Sequence, residues 1–387
     1  MDFNSVKPQD PPLPVAIGLI FDDVQVFTGN DEKHVTYTLL ITNGTKFPVR
    51  ILGVKINGDC QCKKHFFEST ISGQDLANEF SSISTTNTGL PEDPLLQSSS
   101  TGVVYIFLDF SNYVPDALNH QIIVQVENDP TTLQSIILDP IPINKCAPII
   151  ISPPLRGDKW IVGTGLSDFS AHRRSTFLLN GKYKLPEKTA VDFLQYGPKG
   201  LYDGDPLKKE NWYSYGHPIH APADGIVVGT MDGVHENIPT MGPDYTVNSK
   251  NIGGNYVLMK INEFSSHDTM GGKFAFFAHM IPGSLKVKIG DKIRRGQVLG
   301  LLGNSGNSGA PHLHFQISNK PYPIGDYKEP SPINSQGIPW SFDKFIRQEY
   351  IRIDDSILGP GIPANVKVVN QVLIKNQILL ADNLVSF

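Results

Sequence analysis

The stretch from Phe276 to Ile317 constrains this chain more than any other. It opens with F-F-A-H-M, passes through V-K-I-G-D-K-I-R-R-G-Q-V-L-G, and ends with G-N-S-G-N-S-G-A-P-H-L-H-F-Q-I. Side chains alternate faces along a β-strand, so His312, His314 and Gln316 fall on one side while Leu313, Phe315 and Ile317 face a core. A third histidine, His279, closes the apolar run Phe276-Phe277-Ala278. Two imidazoles on one strand face fit one metal ligand and one neighbouring acid/base. The glycines between these blocks require tight turns. The stretch therefore demands a β-rich fold with histidine chemistry on one sheet face.

Composition agrees. The chain has 387 residues, with Gly 35, Pro 30 and only 18% charged residues. That length accommodates two or three domains, and the balance points to a turn-rich, mainly β protein. A formal net charge of -5 argues against a general nucleic-acid binder. No apolar run approaches the roughly 20 residues of a membrane helix. The first 30 residues lack a basic segment followed by a long apolar one, so no secretory signal peptide is visible. Of the 3 cysteines, Cys60 and Cys62 form C-Q-C and Cys146 stands apart. Cys60, Cys62 and His65 would make a structural zinc site only with a fourth ligand, and none is evident nearby.

Taken in order, residues 1–14 read as a polar, proline-rich leader or linker. Residues 15–147 then read as a succession of strands. His34 to Thr42 alternates, with Val35, Tyr37, Leu39 and Ile41 on one face, and Asn43-Gly44 signals a turn. Gly73 to Ser100 is polar and reads as a long loop. Ser135 to Ile143 carries Pro140 and Pro142, which favours an edge strand. This spacing predicts an immunoglobulin-like β-sandwich with no catalytic pattern of its own. The proline-rich junction 148–154 separates it from a second domain, 155–350, with residues 351–387 as a C-terminal extension. Gly337 to Tyr350 reads as a short segment of helical character.

Eight of the 11 histidines lie between His172 and His314. Asp192 stands within the apolar strand Ala190–Leu194, where a lone buried carboxylate would be costly. Its partner is either an arginine, Arg173 or Arg174, or a metal. His217 and His220, separated by Pro218-Ile219, lack the helical spacing of a zincin pair and read as cleft rim. Asp224-Gly225 reads as a hairpin turn, and residues 231–254 as a loop walling a groove. A tetrahedral site built on His314 needs an oxygen ligand, which Asp192 supplies, and a second histidine, for which His172 is the best candidate.

These blocks, together with G-H-P-I-H-A-P-A-D-G-I-V at residues 216–227, resemble the lysostaphin/LytM-type zinc metalloendopeptidases, which cut peptide cross-links of bacterial cell walls. The resemblance covers roughly residues 160 to 320. It implies a β-rich LytM-like domain of the duplicated hybrid motif type, one Zn2+, a peptidoglycan peptide or protein substrate, and a periplasmic or extracellular location. It also implies that His314 and Asp192 hold zinc while His279 and His312 work beside the metal on an activated water. One position departs: four residues before Asp192, where the family has a histidine ligand, stands Lys188. A protonated lysine is a poor zinc ligand. A subgroup with H-R-R followed by a turn and the aspartate strand resembles this chain, and implies His172 as the replacement. Two other readings remain beside this one. One is a catalytically inactive LytM-like binding or regulatory module of the cell envelope. The other, suggested by the turns of residues 287–300, is a biotinyl- or lipoyl-carrier domain, in which the histidine pair would have no role. Nothing in the pattern specifies an oligomeric state.

Overall fold

A computed structural model describes residues 6, 13–20, 24–59, 66–83, 92–111, 113–167, 170–262, 272–322, 324, 330–352, 357–359, 362–363 and 366–387. Cys60, Cys62 and His65 lie outside the described residues. Strands dominate, as the composition requires, and the chain divides into two compact units. The first comprises residues 1–27 and 32–147, the second residues 28–31 and 148–387.

In the first unit, strands Phe66–Ser72, Val49–Asp59, Ala117–Val126 and Asp129–Asn144 pair in that order. A second run contains Val24–Gly29, Glu32–Asn43, Thr101–Phe110 and Phe80–Ser82. Only Ile143 and Asn144 of the last strand of the first run pair with Val24 and Gln25 of the second. Val35, Leu39 and Ile41 are buried with Ile56, Val104, Ile122 and Val124 in one apolar core. The alternation of His34 to Thr42 is thus realised. Asn43 does form a turn: its side-chain oxygen accepts from the Thr45 amide at 2.9 Å and its amide donates to the carbonyls of Phe47, Leu96 and Gln97. Pro140 sits where the pairing with Ala117–Val126 shifts register between Leu138 and Ile141, so a bulge accommodates the missing N–H.

The described residues between Gly73 and Ser100, 73–83 and 92–100, hold more regular structure than a long polar loop. They include a helix, Gly73–Glu79, and short strands Phe80–Ser82 and Leu95–Leu96. Leu76, Phe80 and Leu96, each about 1% exposed, anchor these pieces to the core.

The second unit is built on one long sheet. Its order runs Ile149–Ile151, Trp340–Arg352, Leu384–Ser386, Trp160–Thr164, Val191–Gln195, Leu313–Ser318, Lys273–Met280, Asn255–Ile261, Gly225–Met231 and Lys292–Ile293. Residues Trp340–Arg352 form a strand, not a helical segment. Phe342, Phe345 and Gln348 are buried at a spacing of three, which mimics a helix. The segment is held extended because it is paired on both sides, by Ile149–Ile151, Val366–Gln377 and Leu384–Ser386. The C-terminal residues are therefore part of this sheet, and Ile378, Leu379 and Val385 are fully buried. Asp224-Gly225 does not form a hairpin. Pro218–His220 pairs with Val298–Leu301, while Gly225–Met231 pairs with Asn255–Ile261 and Lys292–Ile293, so this dipeptide passes the chain between two sheets. A Cβ on Gly225 would lie 2.4 Å from the Lys260 carbonyl oxygen, and this close approach explains the glycine.

Candidate metal centre

Three central strands bring the site together. Val191–Gln195 pairs antiparallel with Leu313–Ser318, placing Asp192 opposite His314. Lys273–Met280 flanks the other side, placing Ala278 opposite His314. Leu313, Phe315 and Ile317 are fully buried, so the opposite face of the strand directs His314 and Gln316 into a cleft of about 340 Å³. His312 lies just before the strand. A four-residue helix, Ala171–Arg174, supplies His172 to the same cleft.

The charged groups converge on Asp192. His172 Nε2 lies 3.2 Å from Asp192 Oδ2, His314 Nδ1 lies 3.0 Å from Oδ1, and His312 Nε2 lies 3.5 Å from Oδ1. Donor atoms of His172, Asp192 and His314 all fall within 4.8 Å of one another. Burial alone would raise the Asp192 pKa, but the imidazoles of His172 and His312 outweigh it and hold this carboxyl well below the usual range. Burial pulls His172 down, yet the Asp192 charge and hydrogen bond raise it to about 9.

This donor set fits a zinc ion. Ligand distances of about 2.0–2.2 Å around a tetrahedral ion place neighbouring donors roughly 3.4 Å apart. The two His–Asp separations, 3.2 and 3.0 Å, are already close to that. The remaining nitrogen of each histidine faces an oxygen acceptor, as ligating histidines require. His172 Nδ1 lies 3.4 Å from the Ala190 carbonyl, and His314 Nε2 lies 3.1 Å from Gln316 Oε1. These contacts direct His172 Nε2 and His314 Nδ1 towards Asp192. Lys188 is buried but does not line the cleft.

His279 and His312 stand beside these donors, with ring centroids 4.7 Å apart. His279 Nδ1 donates to the Ser305 carbonyl at 2.7 Å, and His312 Nδ1 donates to the Ala310 carbonyl at 2.7 Å. Both rings are anchored through Nδ1 on the same glycine-rich turn, leaving each Nε2 for the cleft. His279 takes a positive φ of 65° at the end of its strand, an unusual conformation for a non-glycine residue. Its amide donates to the Gly253 carbonyl. Gly254 (φ 60°) and Gly306 (φ 80°) pack against each other there, and a Cβ on Gly254 would meet the Ser305 carbonyl at 2.5 Å. Burial first, then repulsion from His312 and His314, pushes the His279 pKa well down. Burial lowers His312 too, but Asp192 more than compensates and raises it.

The arginines considered as partners for Asp192 are not among its ion-pair contacts; histidines take that place. His217 and His220 stay out of the cleft. His217 packs edge-on against Trp160, and His220 Nδ1 donates to the Gly296 carbonyl at 3.0 Å. Residues 231–254 contribute Ile252 and Gly253 to the cleft lining. Glu187 and Ser175 also line it, isolated polar residues that no sequence motif marks, and so does Asn307, which belongs to the G-N-S-G-N-S-G block.

Residues 212–326 match the model of peptidase family M23. Among curated proteins, the glycyl-glycine endopeptidase ALE-1 of Staphylococcus capitis is 27% identical over 139 residues, spanning 35% of this chain and 32% of that protein. The peptidoglycan DD-endopeptidase ShyA of Vibrio cholerae is 28% identical over 120 residues, spanning 31% of this chain and 22% of that protein. The chain thus spans a third or less of the length of these relatives. Among solved structures, the catalytic domain of lysostaphin from Staphylococcus simulans aligns at 21% identity with a TM-score of 0.23, covering 46% of this chain and 88% of that one.

Proposed function

Since the chain carries a domain of peptidase family M23, of the LytM type, we propose that it is a zinc-dependent endopeptidase hydrolysing peptide bonds of peptidoglycan cross-links, acting in the periplasm or outside the cell. The observation that carries this reading is the convergence of His172, Asp192 and His314 donors within 4.8 Å beside two further histidines. His172, Asp192 and His314 would hold the ion, with His172 standing in for the ligand that Lys188 cannot provide. Zinc in such a site supplies Lewis acidity, which polarises a carbonyl and brings the pKa of water towards about 7. His279, kept neutral by burial and by its histidine neighbours, offers Nε2 as the acceptor for a proton of the attacking water. His312, whose pKa Asp192 raises against the effect of burial, would in its protonated form present Nε2–H where negative charge develops on the carbonyl oxygen. The Nδ1–H bonds to Ser305 and Ala310 fix both rings in these roles. The domain limits follow the same reading: a strand-built spacer or binding domain over residues 15–147, a peptidase domain over residues 155–350, and a C-terminal extension over residues 351–387 whose strands join the peptidase sheet.

Digestion of purified peptidoglycan, with the fragments identified by mass, tests this. New amino termini within cross-links are expected from the zinc-loaded protein and not from the chelated one. A zinc-loaded protein that binds peptidoglycan without releasing fragments would instead establish the inactive module.

A further inference from the structure

The loop between strands Gly225–Met231 and Asn255–Ile261 does more than wall the cleft. Two of its residues grip the turn that anchors His279 and His312. The Asn237 amide N–H donates to the Asn304 carbonyl at 2.9 Å, and the Asn304 side chain donates back to the Asn237 carbonyl at 3.1 Å. The Asn237 side-chain amide donates to both the Gly306 and Ser308 carbonyls at 2.8 Å. Next to it, Glu236 Oε1 accepts from the Asn304 amide at 3.0 Å, and Glu236 Oε2 accepts from the Tyr215 hydroxyl at 2.9 Å. Asn237 and Asn304 are 4% and 0% exposed.

The gripped turn is the one on which the histidines depend. Ser305, whose carbonyl receives His279 Nδ1–H, lies between Asn304 and Gly306. The Ser308 hydroxyl reaches Asn304 Oδ1 at 2.6 Å and His312 Nδ1 at 3.2 Å, and also contacts the Ala310 carbonyl that receives His312 Nδ1–H. Asn237 itself lies outside the cleft lining.

We propose that Asn237 is a positioning residue for the hydrolysis argued above: by donating to Gly306 and Ser308 it fixes the turn that orients His279 and His312. Two carbonyls facing one side-chain amide leave a single workable orientation, with nitrogen towards both. Asn237 Oδ1 is then buried without a partner among the described residues, a polar cost the fold bears at this position. None of these contacts involves His172 or Asp192, so the role separates from metal binding.

The inference rests on the proposed peptidase reading, and the experiment separates the two. Wild type, Asn237→Ala and Asn237→Asp are compared for zinc content, kcat, KM on peptidoglycan fragments, and the low-field imidazole N–H signals of the zinc-loaded protein. Asp keeps the size of Asn but cannot donate. The expected result is wild-type zinc content and an unchanged KM in both variants, a kcat lower by about 10- to 100-fold, and loss of the His279 and His312 Nδ1–H signals. Three results would overturn the proposal: unchanged kcat, activity lost together with zinc, or an Asp variant as active as wild type. A wild-type protein without zinc or activity would instead defeat the peptidase reading itself.

Discussion

Asp192 shows how a single residue can carry two readings until its neighbours are placed. A carboxylate in an apolar strand needs a partner, and three histidines approach it within 3.5 Å. Their roles differ by which nitrogen is free. His314 points Nδ1 at Asp192 and gives Nε2 to Gln316; His312 gives Nδ1 to Ala310. Substitutions should therefore separate. His314→Ala is expected to abolish tight zinc binding, whereas His312→Ala should retain close to one zinc per chain and lose turnover by about 10²- to 10⁴-fold. Metal analysis paired with single-turnover kinetics distinguishes them, and full activity in the His312 variant would overturn its assignment. The H-L-H alternation made the face of His314 legible because strand geometry has a fixed period. His172, on the short helix Ala171–Arg174, was legible through the H-R-R resemblance and the need for a second histidine, not through pattern, since no local period links positions 172 and 192.

At the scale of elements, alternation of apolar and polar residue types revealed the strand Glu32–Asn43, where Val35, Leu39 and Ile41 enter one apolar core, and failed for Trp340–Arg352, where Phe342, Phe345 and Gln348 are buried at a spacing of three. Periodicity reports burial, and a strand buried on both faces, as Phe342 and Phe345 show, need not display period two. The strands of the first unit also hide a titrating group. Tyr37 and His120 meet at 2.6 Å within the core, and burial pulls the His120 pKa down to about 4. In the unfolded chain this histidine protonates near 6.5. The folded state then binds fewer protons between these values, so stability is full above about 6.5 and falls as pH drops towards 4. The loss amounts to at most about 3 kcal/mol. Thermal unfolding of the full chain at pH 7 and pH 4.5 should show this slope for the first transition to involve residues 32–147. His120→Gln should flatten the slope, and an identical slope in that variant would refute the role of His120.

For the molecule as a whole, strands from the region that matches the M23 model, residues 212–326, lie within a larger sheet that also takes in Trp340–Arg352, Val366–Gln377 and Leu384–Ser386, and the proposed peptidase reading depends on one metal. In the metal-free protein His172 titrates near 9, so zinc must displace its proton. Apparent zinc affinity should rise about tenfold per pH unit from pH 6.5 to 8 for that proton. The same shift gives the metal-free protein a stabilising contribution that is complete below about 6.5 and is lost as pH rises through about 9. Competition titrations against a chelator of known affinity measure the slope; a flat profile would mean that His172 is not displaced.

The account stands or falls on His172 replacing the histidine that Lys188 excludes. The most direct test is zinc stoichiometry and affinity for the wild type and for His172→Ala, measured in metal-buffered solution at one pH. The wild type should hold close to one zinc per chain. Because loss of outer contacts alone costs about 10- to 100-fold, loss of a ligand should weaken binding by more than about a hundredfold. A His172→Ala protein that binds one zinc as tightly as the wild type would contradict the account.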